Sequence, residues 1–283
     1  MNEQALKKRI KHIAKAEEKS FQEVWKLLLL ERFLAKLSLS NHSEKFIFKG
    51  GLLLSYYLFI ARETTDIDFL ARKLQAEIPQ LEAVLIEICA INANDGFIMS
   101  LQQIEPLDHN HMNYPGYRAK LNIHFGNMKD RIQIDIGVGD TVTPQKIAWE
   151  SYQYKGQSIF EESISLEAYP PETIFSEKLE TITSRGATNS RIKDFHDILL
   201  LCRNKNIIND SKIKNSIIAT FKNRNTDIMI PLIFTDNELD QLQTHWNRHL
   251  RVLTATAKEK LNLPGSLSDV INEINNYLTT LPI

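Results

Sequence analysis

The chain has little of what marks several functional classes. Only two cysteines, Cys89 and Cys202, occur in 283 residues, and each lies in a helical apolar pattern. That argues against a disulfide framework and against a zinc cluster, and it fits a reducing cytoplasm. Neither sign of charge dominates: 34 Lys and Arg against 35 Asp and Glu leave a net charge of −1. Any binding of nucleic acid must therefore come from a local patch. No run approaches the ~20 apolar residues needed to cross a bilayer. The greasiest early stretch, 25–30, contains Lys26 and is flanked by Glu23, Glu31 and Arg32. Residues 1–19 are charged and helical in pattern, without the apolar core of a secretory signal. Internal repeats and low-complexity tracts are absent. With 43% hydrophobic and 24% charged residues, the expectation is a cytoplasmic globular protein of one large or two modest domains.

What is present is concentrated early. Phe46-Ile47-Phe48 reads as a strand, Lys49-Gly50-Gly51 as a glycine turn, and 52–61 as a helix. A second strand over 66–70 then carries Asp66 and Asp68. Side chains alternate faces along a strand, so these two carboxylates project to one side, about 7 Å apart. Ile67 and Phe69 point the other way, into a core. Two acids beside a glycine turn at a helix start suit a divalent cation and a phosphate chain. Glycine lets the backbone approach phosphate, helix-end N–H groups donate to it, and carboxylate oxygens suit Mg2+. This pattern predicts a protein that handles a nucleoside triphosphate.

Beyond these elements, 76–93 is predicted helical, with Ile78, Leu81, Leu85 and Ile88 three to four apart. Strands are expected over 97–104, 117–125 and 131–138, separated by turn residues at Asp95-Gly96 and Gly126-Asn127. The texture changes after Pro170-Pro171, where Pro171 can open a helix. Helical segments are then expected over 172–184, 190–202, 211–221, 236–253 and 266–279, with Asp236 and Ser266 as N-caps. Residues 150–169 read as loop with a short strand. The chain thus divides into an α+β domain, 1–150, and a helical domain, 151–283.

A third acid is available on the strand Arg131-Ile132-Gln133-Ile134-Asp135-Ile136. If that strand lies beside 66–70, Asp135 joins Asp66 and Asp68 around a pair of metal ions; otherwise it is a solubilising acid on an edge. In the helical half, Phe175, Leu179 and Ile182 form an apolar stripe. Lys178 lies on the same side, able to snorkel or to reach a triphosphate. Lys193 and Asp197 are i,i+4 neighbours, readable as a surface ion pair or as part of a site with Asp194. His245 and His249, also i,i+4, lack a third ligand for zinc, and Asp108-His109-Asn110-His111 reads as a polar turn. Tyr56, Tyr57 and Phe59 are expected to pack behind the glycine turn, one tyrosine alternatively stacking on a base. Two basic runs could contact RNA: Arg203, Lys205, Lys212, Lys214, Lys222 and Arg224, or Lys7, Lys8, Arg9, Lys11 and Lys15.

The string Lys49-Gly50-Gly51-Leu52 with Arg62-Glu63-Thr64-Thr65-Asp66-Ile67-Asp68-Phe69 closely resembles the opening motif of the AbiEii/AbiGii-type nucleotidyltransferase toxins. Glu177-Lys178-Leu179-Glu180 with Ser184-Arg185-Gly186, and Arg191-Ile192-Lys193-Asp194-Phe195-His196-Asp197, resemble the same family's later motifs. The resemblance runs in order over about 45–200. It implies a polymerase-beta-like nucleotidyltransferase domain with a mixed sheet, followed by a C-terminal helical domain. It also implies a toxin of a toxin–antitoxin or phage-defence system, with a cognate antitoxin protein as partner. The implied reaction is Mg2+-dependent (Mn2+ being the alternative) transfer from a nucleoside triphosphate to RNA, at the tRNA 3′ end. By that resemblance Lys49, Gly50 and Gly51 cradle phosphate, while Asp66 and Asp68 hold metal. Lys178 contacts the triphosphate, and Lys193 and Asp194 complete the cleft. Thr64 adds a hydroxyl and Arg62 orients the loop. Gly51 stands where the wider superfamily often has serine, so backbone N–H groups must replace a hydroxyl contact. A small-molecule or protein hydroxyl as acceptor, or nucleotide binding without transfer, are the other readings of the same residues.

Overall fold

The computed structural model describes residues 1–283 apart from 75–76, 108–115, 161–162, 187–190, 205 and 282–283. The expected helix starts at Ala76 and Ser190, the turn containing His109 and His111, and Lys205 lie outside the described residues. In chain order the elements are α1 (Glu3–Ala16), α2 (Phe21–Leu39), β1 (Phe46–Lys49), α3 (Gly50–Tyr57), β2 (Asp66–Ala71), α4 (Ile78–Ala90), β3 (Ile98–Leu107), β4 (Gly116–Phe125) and β5 (Met128–Val138). There follow β6 (Gln145–Trp149), β7 (Gln153–Tyr154), β8 (Gln157–Ser158) and β9 (Ile164–Ala168), then α5 (Pro171–Arg185), α6 (Lys193–Arg203), α7 (Asp210–Asn223), α8 (Asp236–Val252), α9 (Ala255–Leu261) and α10 (Leu267–Leu278).

Two compact units result. One comprises Met1–Leu53 and Glu63–Tyr169, the other Leu54–Arg62 and Pro170–Ile283. The division thus falls at Tyr169 rather than at 150, because β6 and β9 pair with each other and β9 runs parallel to β1. The stretch 150–169, expected as loop with one short strand, supplies β7, β8 and β9.

The first unit is built on a mixed seven-stranded sheet in the order β3-β4-β5-β2-β1-β9-β6. The β2–β5 and β1–β9 pairs are parallel, the others antiparallel. One face is apolar: Phe69 packs its ring against Phe33 of α2, Phe46 and Phe48, and Ile67, Ile134, Ile136, Ala119 and Leu121 are fully buried. Helix α2 starts at a capping box, Ser20 with Glu23. Two of the charges at its apolar run are themselves buried: Arg32 pairs with Glu31 at 2.8 Å and lies over the Phe160 ring.

The second unit is helical. Pro171 opens α5 as expected, and Phe175, Leu179 and Ile182 are buried. Ile192, Phe195, Leu199 and Cys202 form the inner face around α6. Helix α9 was not expected from the pattern; it begins at a Thr254 N-cap, and only Ala257 of its residues is buried. Both cysteines are free and buried. Burial pushes the Cys89 thiol up to about 11, so it is an unreactive core group. Among the described residues, no helix is long and apolar enough to cross a membrane.

Candidate active site

In the first unit the face opposite Phe69 carries the polar groups. Asp66 and Asp68 are half-buried there, as alternation requires. Across the parallel pair, Asp66 registers with Gln133 and Asp68 with Asp135. On the other side Lys49 registers with Asp68. The third acid is therefore beside the first two, as the sequence anticipated.

Its carboxylate, however, is taken up by a residue the sequence did not single out. Arg118 of β4 donates two hydrogen bonds to Asp135, at 2.9 and 2.7 Å. Such a two-pronged contact fixes the plane of the carboxylate. Among the described residues, no group of three or more His, Cys, Asp and Glu side chains could hold a metal ion. Asp66, Asp68 and Asp135 thus lie on one polar face, with Asp135 bound by Arg118. Antiparallel register was the available clue, since Arg118 faces Asp135 directly across β4–β5.

Gly50, with φ +79°, begins α3 directly beneath Asp68. A side chain there would lie on the Asp68 carboxylate and 2.7 Å from its Cβ. Glycine thus serves twice, for the left-handed backbone and for the close approach. Gly51 follows as the second residue of α3. Lys49, expected at phosphate, directs its ammonium to Asp140 and to the Tyr169 hydroxyl, both at 3.3 Å. Thr64 Oγ1 is buried without a hydrogen-bond partner in the structure, an orphaned hydroxyl just ahead of Asp66. The acid pair, the glycine approach and this hydroxyl fit a cation with a phosphate-bearing ligand.

The second unit gathers its own charged cluster. Arg62 donates to Asp197 at 2.9 and 2.7 Å, and Lys178 pairs with Asp197 at 2.7 Å and Asp194 at 2.9 Å. Asp197 is fully buried. The expected surface pair between Lys193 and Asp197 is not found: Lys193 is exposed, and Asp197 belongs to the interior. Burial alone would raise the Asp197 carboxyl, but Lys178 and Arg62 outweigh it and hold it far below the usual carboxylate range. Burial pushes the Lys178 ammonium down, while Asp194 and Asp197 override this and keep it charged. One oxygen of Asp194, Oδ2, is buried without a partner in the structure.

Against this cluster lies a histidine pair. His196 Nδ1 and His249 Nε2 are 2.7 Å apart and share one hydrogen bond. His249 is therefore a core group, whereas its expected companion His245 is half-exposed. Burial pushes His196 down to about 4 and lowers His249 as well. Both are neutral when folded, so the unfolded chain takes up protons first as pH falls. Stability is expected to be full above pH ~6.5 and to drop by about 3 kcal/mol between there and pH ~4. Urea unfolding at pH 7, 6 and 5 checks this; a flat profile would contradict the neutral pair.

Other expectations shift. Tyr56 and Phe59 are exposed rather than packed, because Leu52, Leu53, Leu54 and Leu58 occupy the inner positions around α3. The basic run after 200 loses two members to internal pairing. Arg203 binds Glu273 at 2.8 Å, and Arg224 binds Glu177 and Glu180 at 3.0 and 2.9 Å.

The family model for the AbiEii toxin, a nucleotidyl transferase of type IV toxin–antitoxin systems, matches residues 32–264. The chain belongs to the AbiEii family. This AbiEii protein is accordingly a nucleotidyltransferase, and its family implies a nucleoside triphosphate substrate and an antitoxin in general terms. No curated protein matches it. Among solved structures it is similar to JHP933 from Helicobacter pylori, at 14% identity over 92% of each chain and TM-score 0.49. A second H. pylori structure, described as a candidate nucleotidyltransferase, shares 14% identity over 92% of this chain and 95% of that one, with TM-score 0.47. The CdnE cyclic dinucleotide synthase of Elizabethkingia meningoseptica, solved with GTP and Apcpp, gives 12% identity over 90% and 91%, with TM-score 0.24.

For the AbiEii chain, Gly50→Ala is expected to strain the positive φ by about 1–2 kcal/mol. Displacing Asp68 should also lower transfer by about 10²-fold. Melting temperature and initial rate measured on one preparation check both effects. An alanine variant with unchanged rate would show that Asp68 need not sit on the turn.

Proposed function

We propose that this AbiEii-family protein transfers a nucleotide from a nucleoside triphosphate to a hydroxyl of RNA, at the 3′ end of tRNA, under the control of an antitoxin protein. The observation that carries this reading is the pair Asp66 and Asp68 on one face of β2, with Gly50 beneath the second carboxylate. In the reading, Asp66 and Asp68 hold Mg2+ or Mn2+, which would neutralise charge on the triphosphate and the departing pyrophosphate. The chain's own groups do the rest. Backbone N–H groups from Gly50 and Gly51 receive phosphate oxygens, and the Thr64 hydroxyl is free to donate to the same ligand.

The acceptor oxygen bonds to the α-phosphorus as the bond to pyrophosphate breaks, and pyrophosphate leaves with the electron pair. Asp135 takes the acceptor's proton. Arg118 orients it for that task through two hydrogen bonds. Within the helical unit, Asp194 and Asp197 maintain the charge of Lys178, the residue that the family resemblance assigns to the triphosphate. Lys193, exposed at the start of α6, and Arg62 are assigned supporting roles there. Most of the acceleration comes from positioning and charge neutralisation.

Incubating the protein with each α-labelled triphosphate, Mg2+ and total cellular RNA tests the proposal. Label on tRNA is the expected result. Label on a small molecule or a protein would change the acceptor, and nucleotide binding without transfer to anything would overturn the reading. Calorimetric titration of Mn2+ into wild type and Asp66→Asn tests the cation assignment without relying on turnover.

A further inference from the structure

The polar sheet face does not stop at Asp66. Where β2 begins, an open cleft of about 230 Å3 is lined by Lys26, Thr65, Asp66, Lys120, Arg131 and Gln133, among others. Register explains the grouping. Asp66 pairs with Gln133, Gln133 with Lys120, and Arg131 lies two residues before Gln133, on the same face. All these residues belong to the sheet unit.

The cleft is cationic in its lining, with three basic groups against one acid. Lys26 is held by Asp130 at 2.7 Å. Lys120 has only a loose partner, Glu105 at 3.3 Å, with both side chains more than a third exposed, a contact that a stronger anion readily displaces. Among the described residues, the Arg131 guanidinium makes no ion pair. A planar guanidinium beside a mobile ammonium suits a phosphodiester, which takes two parallel hydrogen bonds from the first and a point charge from the second.

Position decides which phosphate. Gly50 and its turn follow β1, on one flank of β2, whereas the cleft lies on the other flank, towards β5 and β4. In-line displacement at phosphorus puts the attacking oxygen opposite the departing pyrophosphate. With the triphosphate on the glycine flank, the attacking strand comes from the β5 flank.

We propose that this cleft receives the acceptor strand of a nucleic acid, with Arg131 and Lys120 holding a backbone phosphate while the reacting hydroxyl lies at Asp66. The inference rests on the proposed transfer reaction and adds the place where the acceptor's backbone is held. It also moves the RNA contact away from both basic runs of the sequence.

Anisotropy of fluorescein-labelled tRNA across a salt series tests it, with wild type against Lys120→Glu/Arg131→Glu. The double variant is expected to bind at least about tenfold more weakly, and its log K against log[salt] to be shallower by roughly 0.7, the value for one phosphate contact on a single strand. Lys120→Gln/Arg131→Gln, which removes charge without reversing it, should lose affinity in the same direction and guards against misfolding of the first variant. Equal RNA affinity in wild type and the glutamine variant, or no RNA binding by wild type, overturns the inference. Failure of the proposed reaction itself would show separately, as wild type labelling no acceptor of any kind.

Discussion

Asp68→Asn is expected to reduce nucleotide transfer by about 10³-fold or more while leaving the protein folded. The side chain keeps its volume and its seat on Gly50, so packing beneath the sheet face is unchanged. What disappears is a negative charge between Asp66 on the same strand and Asp135 on the next. A melting temperature within a few degrees of wild type is expected beside that loss. That combination distinguishes a functional carboxylate from a structural one, which would lose stability and activity together. Transfer that survives in Asp68→Asn, measured under saturating triphosphate and Mg2+, would remove Asp68 from the site and the cation assignment with it.

The largest expected loss of stability lies in the helical unit. Asp197→Ala leaves Arg62 and Lys178 buried without their shared counter-ion, and about 3–5 kcal/mol is the usual cost of breaking such a pair from one side. Asp194→Ala should cost less, because among the described residues Asp194 pairs with Lys178 alone and has one oxygen without a partner. Urea unfolding at pH 7 ranks the two variants; equal, small losses would mean that Asp197 is not the centre of the cluster. The same residue sets an acid limit. Its folded carboxyl sits below the ordinary value of ~3.9, so its contribution is complete above that pH and is lost as pH falls further. This window lies below the one governed by His196 and His249, so the two can be resolved in one pH series.

Lys178 illustrates how far the sequence could be read. Its place on the inward side of α5 followed from the spacing of Phe175, Leu179 and Ile182, and so did the choice between snorkelling and reaching a triphosphate. Which partner could not follow, because Asp197 lies nineteen positions on and its helix looked amphipathic with Asp197 outward. Burying a whole ion cluster lets α6 conceal both faces, and periodicity does not distinguish that from a solvated face. Arg118 shows the same limit on the sheet. An arginine in a strand reads as surface charge until register sets it opposite Asp135.

Local order determined the strand, turn, helix and strand around Gly50, because backbone freedom and two-residue alternation act between neighbours in the chain. That sufficed to put Asp66 and Asp68 on one face and, with the later motifs in order, to indicate the family. Tertiary structure alone decided who neutralises whom: Arg118 with Asp135, Arg62 and Lys178 with Asp197, His196 with His249. Charges find partners by distance in space, and distance in space is set by strand register and helix packing rather than by position along the chain.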